Sequence, residues 1–394
     1  MTHPSYLLSM NCYRLVPVFA YLGFMITITL YFSTIGSAWG EEVRVISTRS
    51  HFDQIGNPIP SKPSYEPFPF DFGSIGCSQE TIIYIHGVWT AKDRADEVNK
   101  KMFENAPEIF DRLRLSLETV DYKFPVIGFS WDSDTEISPE GWDNAIKIAR
   151  NNGPKLAQFV LDLQENCPQT KIRLIAHSLG ARVVLSSLHA LNNNEIWKDN
   201  KFKIASVDLL GAAIDDDEVS KNSLDVISSN GLKSAYGKVI EKQVTHFYNL
   251  FDSEDDALEP GAIGWYFPFP SCAYLYYSCF NLLENQPVYY PYFEQDLALG
   301  QSGSQSNISP SDKPRNYMDI PISRQIPNFA DADADRECDL TYQSFSFPFN
   351  HICTINHIGD NHLGYVGFRD LSNNNTIKNN GAIDIVVNTF RNPS

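Results

Sequence analysis

Largely apolar, β-rich runs recur along the middle of the chain, at residues 81–85, 125–131, 172–175, 204–210 and 244–251. Each is short enough for a strand and too unbroken for an amphipathic helix. A strand that is apolar on both sides is buried on both faces, which is the condition of a parallel sheet. Between the runs lie segments of helical period. Across 90–117 the stripe is Ala95, Val98, Met102, Phe103, Ile109, Phe110 and Leu113, and Pro107 must interrupt or restart it. Across 145–163 it is Ile146, Ile148, Ala149, Leu156, Phe159, Val160 and Leu163, and Gly153-Pro154 predicts a break midway. Val183, Val184, Leu185, Leu188 and Leu191 form a further stripe, stopped by Asn192-Asn193-Asn194. A last helix is expected over 382–390. Strands alternating with helices predict an α/β fold, a mostly parallel sheet with helices on both faces.

The flanks read differently. Residues 43–72 alternate loosely at Val43, Val45 and Ile46, then carry Pro58, Pro60, Pro63, Pro67 and Pro69, which keep a chain extended and at an edge. Residues 259–349 form an aromatic-rich insertion, with Trp265, Tyr266, Phe267, Tyr276, Tyr277, Tyr289 and Tyr290 among its rings. Its stretch 300–314 is rich in Ser, Gly, Asn and Pro and is expected to be exposed loop. At the other end, residues 15–35 are almost wholly apolar, Arg14 precedes them, and Gly36-Ser37-Ala38 supplies small residues for cleavage. Residues 1–38 therefore read as a signal peptide or an N-terminal membrane anchor, and 39–394 as one catalytic domain carrying the insertion 259–349.

The chemistry centres on residues 172–182. The apolar run turns sharply through Ala176-His177-Ser178-Leu179-Gly180 and enters a helical stripe at once. A strand, a Ser flanked by small residues two positions either side, and a helix make a nucleophile elbow, which raises the hydroxyl above the sheet edge at a helix N-terminus. Ala176 stands where Gly is common, a difference of one methyl. The strand at 81–85 ends in His86-Gly87-Val88-Trp89, and Gly87 permits a close backbone approach. The strand at 244–251 runs into Asp252, Asp255 and Asp256, at the carboxyl end where such sheets keep functional loops. Near the C-terminus lie His351, His357 and His362, the last in Asp360-Asn361-His362-Leu363-Gly364-Tyr365.

With these motifs, residues 78–258 and 350–391 resemble the α/β-hydrolase superfamily in its serine esterase and lipase branch; 259–349 have no counterpart there. The resemblance implies a triad in the order Ser178, Asp255, His362, with Asp256 and then Asp252 as alternative acids and His357 as the alternative base. It implies an oxyanion hole from the N–H groups of Val88 (or Trp89) and Leu179. His86 and His351 are expected to be structural, and the ring of His177 to point elsewhere. An insertion at this place can cap an active site, so its aromatic residues either line an acyl pocket or simply pack it down. No cofactor or metal is required.

The net charge of −17 over 394 residues argues against nucleic acid or an anionic lipid surface as an electrostatic partner. Of seven Cys, Cys12 lies in the leader. The others are Cys77, Cys167, Cys272, Cys279, Cys338 and Cys353, an even set that suits an exported, disulfide-bonded chain. Proximity favours Cys272–Cys279 and Cys338–Cys353. The acidic run Asp215-Asp216-Asp217 is expected to be a solvated loop, and Asp132, Asp134 and Glu136 loop residues. Asp331, Asp333, Asp335 and Asp339 begin like a Ca²⁺ loop, but Arg336 sits where the turn Gly belongs. The reading is an exported carboxylic ester hydrolase, secreted or anchored through residues 15–35, acting on a small-molecule or lipid ester. The alternatives are other acyl transfer on the same triad (amidase, thioesterase or acyltransferase) and a non-catalytic surface binding module.

Overall fold

The computed structural model describes residues 43–93 (54 excepted), 104–222 (137 and 138 excepted), 235–258 (256 excepted), 279–281, 286–288, 297–322 (305 and 307 excepted), 362–370 and 373–393. One sheet is built from β1 (Arg44–Ser47), β2 (Glu80–Ile85), β3 (Val126–Ser130), β4 (Lys171–His177), β5 (Ile204–Leu210), β6 (Val244–Phe251) and β7 (Tyr317–Pro321). Their spatial order is β1-β3-β2-β4-β5-β6-β7. Every neighbouring pair runs parallel. All the carboxyl ends therefore lie along one edge of the sheet, where the candidate residues gather. The longer helices are α1 (Ala106–Thr119), α2 (Pro139–Asn166), α3 (Gly180–Asn193), α4 (Gly237–Gln243) and α5 (Ile383–Arg391).

Strand side chains alternate between two cores, which is why apolar residues occupy both faces of the runs. Ile82, Tyr84, Ile175, Tyr248 and Leu250 face one way and pack with Ile109, Phe110 and Leu113 of α1 and Ile383 and Val386 of α5. Ile83, Ile85, Leu174, Ala176 and Leu209 face the other and pack with α2, α3 and α4. The runs at 204–210 and 244–251 are strands at the expected bounds.

Several expectations need correction. The far end of the stripe expected over 90–117 is α1, which starts at Ala106: Asn105 caps it by accepting the Glu108 N–H at 3.0 Å, and Pro107 sits in the first turn, where no N–H is needed. Thr90–Ala91 instead pair with Glu104–Asn105. The break at Gly153-Pro154 is absent, and α2 runs through Pro154 for 28 residues. Proline removes the donor that would reach the Arg150 carbonyl one turn back. The Ser186 hydroxyl of α3 donates to that carbonyl at 2.7 Å. The hydrogen bond that should break the helix thus joins it to its neighbour.

The acidic run at 215–217 is not solvated: Asp215, Asp216 and Asp217 are 5%, 2% and 6% exposed. Chain returning from the aromatic-rich stretch covers it. Asp215 bridges to Ala298, the Asp216 N–H donates to the Leu297 carbonyl at 3.0 Å, and the Ser302 hydroxyl donates to the Asp216 carboxylate at 3.3 Å. The next acid, Glu218, forms a buried pair with Arg182 of α3 at 2.9 Å. The stretch 300–314 is likewise not all exposed, since Gly300 and Ile308 are buried. Within 259–349, residues 317–321 supply β7, the last strand of the sheet.

Asp132 and Asp134 tie down the chain that follows β1: Asp132 accepts the Ser50 N–H at 2.7 Å, and Asp134 pairs with Arg49 at 3.3 Å. A disulfide joins Cys77, just before β2, to Cys167, just after α2. The local pairings expected for Cys272, Cys279, Cys338 and Cys353 lie outside the described side chains, as do the leader and Asp331–Asp339. Among the described residues no helix is long and apolar enough to cross a membrane, and no group of His, Cys, Asp and Glu is arranged to hold a metal ion.

The α2–α3 bond is testable. Ser186→Ala should lower stability by about 1–2 kcal/mol. Pro154→Ala restores a backbone donor, so the same serine change should cost less in that background. Denaturant midpoints of the four chains check both.

Candidate active site

β4 ends at His177, and Ser178 turns the chain at φ +53°, a conformation costly for any residue but glycine. The turn is held from below. The Ser178 N–H donates to the Leu210 carbonyl at 3.0 Å, and the Ser178 carbonyl accepts the N–H groups of Ala181 and Ala213. Helix α3 then starts at Gly180. A Cβ there would stand 2.6 Å from the Ile85 carbonyl oxygen and 2.7 Å from that of His86, so only glycine lets α3 pack against the end of β2.

Beside the elbow lies the segment following β2. A Cβ at Gly87 would stand 2.9 Å from the Ser178 Cβ and 3.4 Å from its Oγ. The segment is fixed from behind. Trp131 donates its main-chain N–H to His86 Nε2 at 3.2 Å, so Nδ1 carries the hydrogen and donates to the Gly87 carbonyl at 2.8 Å. The Trp131 indole N–H holds the His86 carbonyl at 2.8 Å, and Arg49 Nη2 holds the Thr90 carbonyl at 2.9 Å. His86 is structural, as expected. The Trp89 N–H donates to the Ser133 carbonyl at 2.7 Å. Of the two oxyanion candidates here, that leaves Val88. Leu179, the other, lies buried at the N-cap of α3.

The acid comes from the loop after β6. Asp255 is fully buried, and its Oδ2 lies 2.7 Å from His362 Nδ1. The same oxygen accepts the Tyr365 hydroxyl at 3.2 Å. Asp252 shapes the turn instead: its side chain accepts the Glu254 N–H and its carbonyl the Asp255 N–H. Asp256, His351 and His357 lie outside the described residues.

His362 opens a 3₁₀ turn, His362–Val366, whose carbonyls are all engaged. His177 Nε2 meets that of His362 at 2.7 Å, Arg112 Nη2 that of Leu363 at 3.2 Å, and the Ser116 hydroxyl that of Val366 at 2.7 Å. The Gly367 and Ala382 N–H groups take those of Gly364 and Tyr365. His177 thus links the residue before Ser178 to His362, and the elbow, the segment after β2 and the histidine turn converge. A family model described as "Alpha/beta hydrolase of unknown function (DUF900)" matches residues 90–261.

The chain has the α/β-hydrolase fold.

Solved structures similar to this chain include a Trichoderma reesei cutinase in complex with a C11Y4 phosphonate inhibitor. It is 17% identical at a TM-score of 0.22, over 36% of this chain and 58% of that one. Aspergillus fumigatus lipase B is 9% identical at 0.26, over 50% and 42%, and a cutinase-like protein from Cryptococcus sp. 12% identical at 0.23, over 43% and 65%. The match thus spans less than two thirds of each of these chains, and likenesses this low carry no argument about activity. A search of curated proteins finds no match.

Burial sets the electrostatics of the candidate site. It pushes His362 below its ordinary value, so the imidazole is neutral at rest. Burial holds His177 well below as well, and a proton on His362 would press it lower still. Asp255 is pushed up by burial and by Asp252, against which the Tyr365 hydroxyl works by donating to the anion. With Nδ1–H turned to Asp255, His362 keeps a lone pair on Nε2 and can accept a proton there.

His177, Tyr365, Arg112 and Ser116 were not singled out from the sequence for these tasks. His177 was expected to point elsewhere. Its ring lies against that of His362, with Nε2 on the His362 carbonyl. The one available signal was Tyr365, three residues past His362.

The tight contact at Gly87 yields a prediction. Gly87→Ala should cost about 1–3 kcal/mol by overpacking and move the 86–90 segment away from Ser178. Denaturant unfolding checks the first effect. Loss of reaction with a fluorophosphonate probe checks the second.

Proposed function

We propose that the protein is a serine hydrolase that cleaves carboxylic esters through an acyl-enzyme. The observation carrying this reading is the 2.7 Å contact of His362 Nδ1 with Asp255, beside a serine held at φ +53° in an elbow. In the proposed mechanism His362 Nε2 takes the Ser178 proton as Oγ attacks the ester carbonyl carbon. Asp255 holds the tautomer and balances the imidazolium. The Val88 and Leu179 N–H groups receive the oxyanion. His362 then protonates the leaving alcohol, and water, activated by the same histidine, releases the acid. Nothing in these steps calls on a cofactor.

Export is part of the proposal. The Cys77–Cys167 disulfide supports an oxidising compartment. The leader at 1–38 would direct the chain there and be cleaved or retained as an anchor. The substrate is proposed as a small-molecule or lipid ester.

Labelling with a fluorophosphonate tests the nucleophile. The wild-type chain should label and Ser178→Ala should not. On an ester panel of graded acyl length, Ser178→Ala and His362→Ala should each lower kcat by at least about 10⁴-fold. A properly folded wild type that neither labels nor turns over any ester would leave the binding-module reading in its place.

The pH profile tests the base. His362 acts only when neutral, and burial holds it below the ordinary 6.5. The acid limb of kcat/KM should therefore fall below 6.5, with activity level from there to neutral pH. A limb above that value would mean that the acid's charge outweighs burial at this histidine.

A further inference from the structure

His177 is a buried histidine to which the hydrolytic reading assigns no task. It closes β4 one residue before Ser178 and is 2% exposed. Its Nε2 stands 2.7 Å from the main-chain carbonyl oxygen of His362. A carbonyl only accepts, so Nε2 carries the hydrogen and Nδ1 the lone pair. Nδ1 faces Gly87, 3.2 Å from where a Cβ on that residue would stand. The imidazoles of His177 and His362 lie against each other, their centroids 4.6 Å apart.

The other holds on the turn come from elsewhere. Arg112 and Ser116 belong to α1, and Ala382 precedes α5. Only the His177 bond, among those that engage the turn's carbonyls, comes from the strand that carries Ser178. Without it, the distance from nucleophile to base would depend on how α1 sits on the sheet. With it, His362 is pinned at two points: its ring by Asp255 and its main chain by the neighbour of Ser178.

We propose that His177 is a positioning residue, whose Nε2–H holds the carbonyl of His362 and so sets the base against the nucleophile. The inference rests on the hydrolytic reading above. It predicts a loss in the chemical step and not in substrate binding, because His177 acts on the histidine through its main chain. A displacement of the order of 1 Å between reacting groups can cost about 100-fold in rate.

Two substitutions separate the donor from the bulk. His177→Phe fills the space with a ring that cannot donate. His177→Gln returns an N–H near the place of Nε2. The rate constant for fluorophosphonate labelling of Ser178 should fall about 10- to 100-fold in His177→Phe. On a short-chain p-nitrophenyl ester kcat should fall alike, with KM within about 2-fold. His177→Gln should recover most of both. Equal labelling rates in wild type and His177→Phe would overturn the proposal, and so would a glutamine variant as slow as the phenylalanine one. If His177→Phe does not fold, ¹⁵N imidazole spectra of the wild type decide. A neutral Nε2–H tautomer at His177 is expected at pH 8, and an Nδ1–H tautomer or a charged ring there overturns it. A wild type that does not label removes the hydrolytic reading and this inference together, whereas full-rate labelling of His177→Phe removes this inference alone.

Discussion

The register between β2 and β4 is the constraint on which the candidate site depends. Ile85 lies opposite Ala176, so two parallel strands leave the sheet side by side. One passes into His86-Gly87-Val88 and the other into Ser178. Parallel strands cannot turn back on each other, so each must continue into its own crossover, and the tight turn of β4 into α3 has to fit under the exit of β2. Gly180 and Gly87 are the two contacts at which it fits, with carbonyl oxygens of β2's end against one and the Ser178 side chain against the other. A shift of one residue in this register would move every side chain of the shifted strand from one core to the other. The alternation of the two cores therefore protects the position of Ser178 as much as the fold itself.

The same logic shows why some of the chain was legible in the sequence. Strands buried on both faces leave a pattern that depends on nothing distant, and residues 204–210 and 244–251 are strands at the bounds their composition indicates. The elbow was legible because a strand, a serine between small residues and a helix follow one another within a few positions. Asp255 and His362 were legible as candidates through chain order and motif, and they do meet at 2.7 Å.

What was not legible depends on partners far along the chain. Pro154 reads as a helix breaker until Ser186, in another helix, takes over the Arg150 carbonyl. An acidic run reads as solvated until residues 297–302 return over it and supply donors and backbone acceptors. The strand at Tyr317–Pro321 is short and mixed in polarity, and it becomes a strand through pairing with β6. The bond from Cys77 to Cys167 crosses 90 positions, whereas sequence proximity favours neighbours. In each case the deciding interaction is non-local, and no window of the sequence contains both halves.

The buried carboxylate of Asp255 sets a last condition on the proposed chemistry. A carboxylate out of water tends to take a proton, and one that did so at rest would no longer orient the Nδ1–H of His362 or balance an imidazolium. Its protection is local: the Tyr365 hydroxyl donates to the same Oδ2 that His362 approaches, from a ring that is itself fully buried. Tyr365 belongs to the turn that begins with His362, so one short segment carries both the base and a donor that favours the anionic acid. His177 completes the arrangement from the nucleophile's side. Its Nε2–H is committed to a carbonyl and its Nδ1 faces Gly87, so His177 does not compete for the proton that His362 is proposed to take. In the proposed mechanism the proton passes from Ser178 to His362 and on to the leaving group, with the imidazolium paired to Asp255.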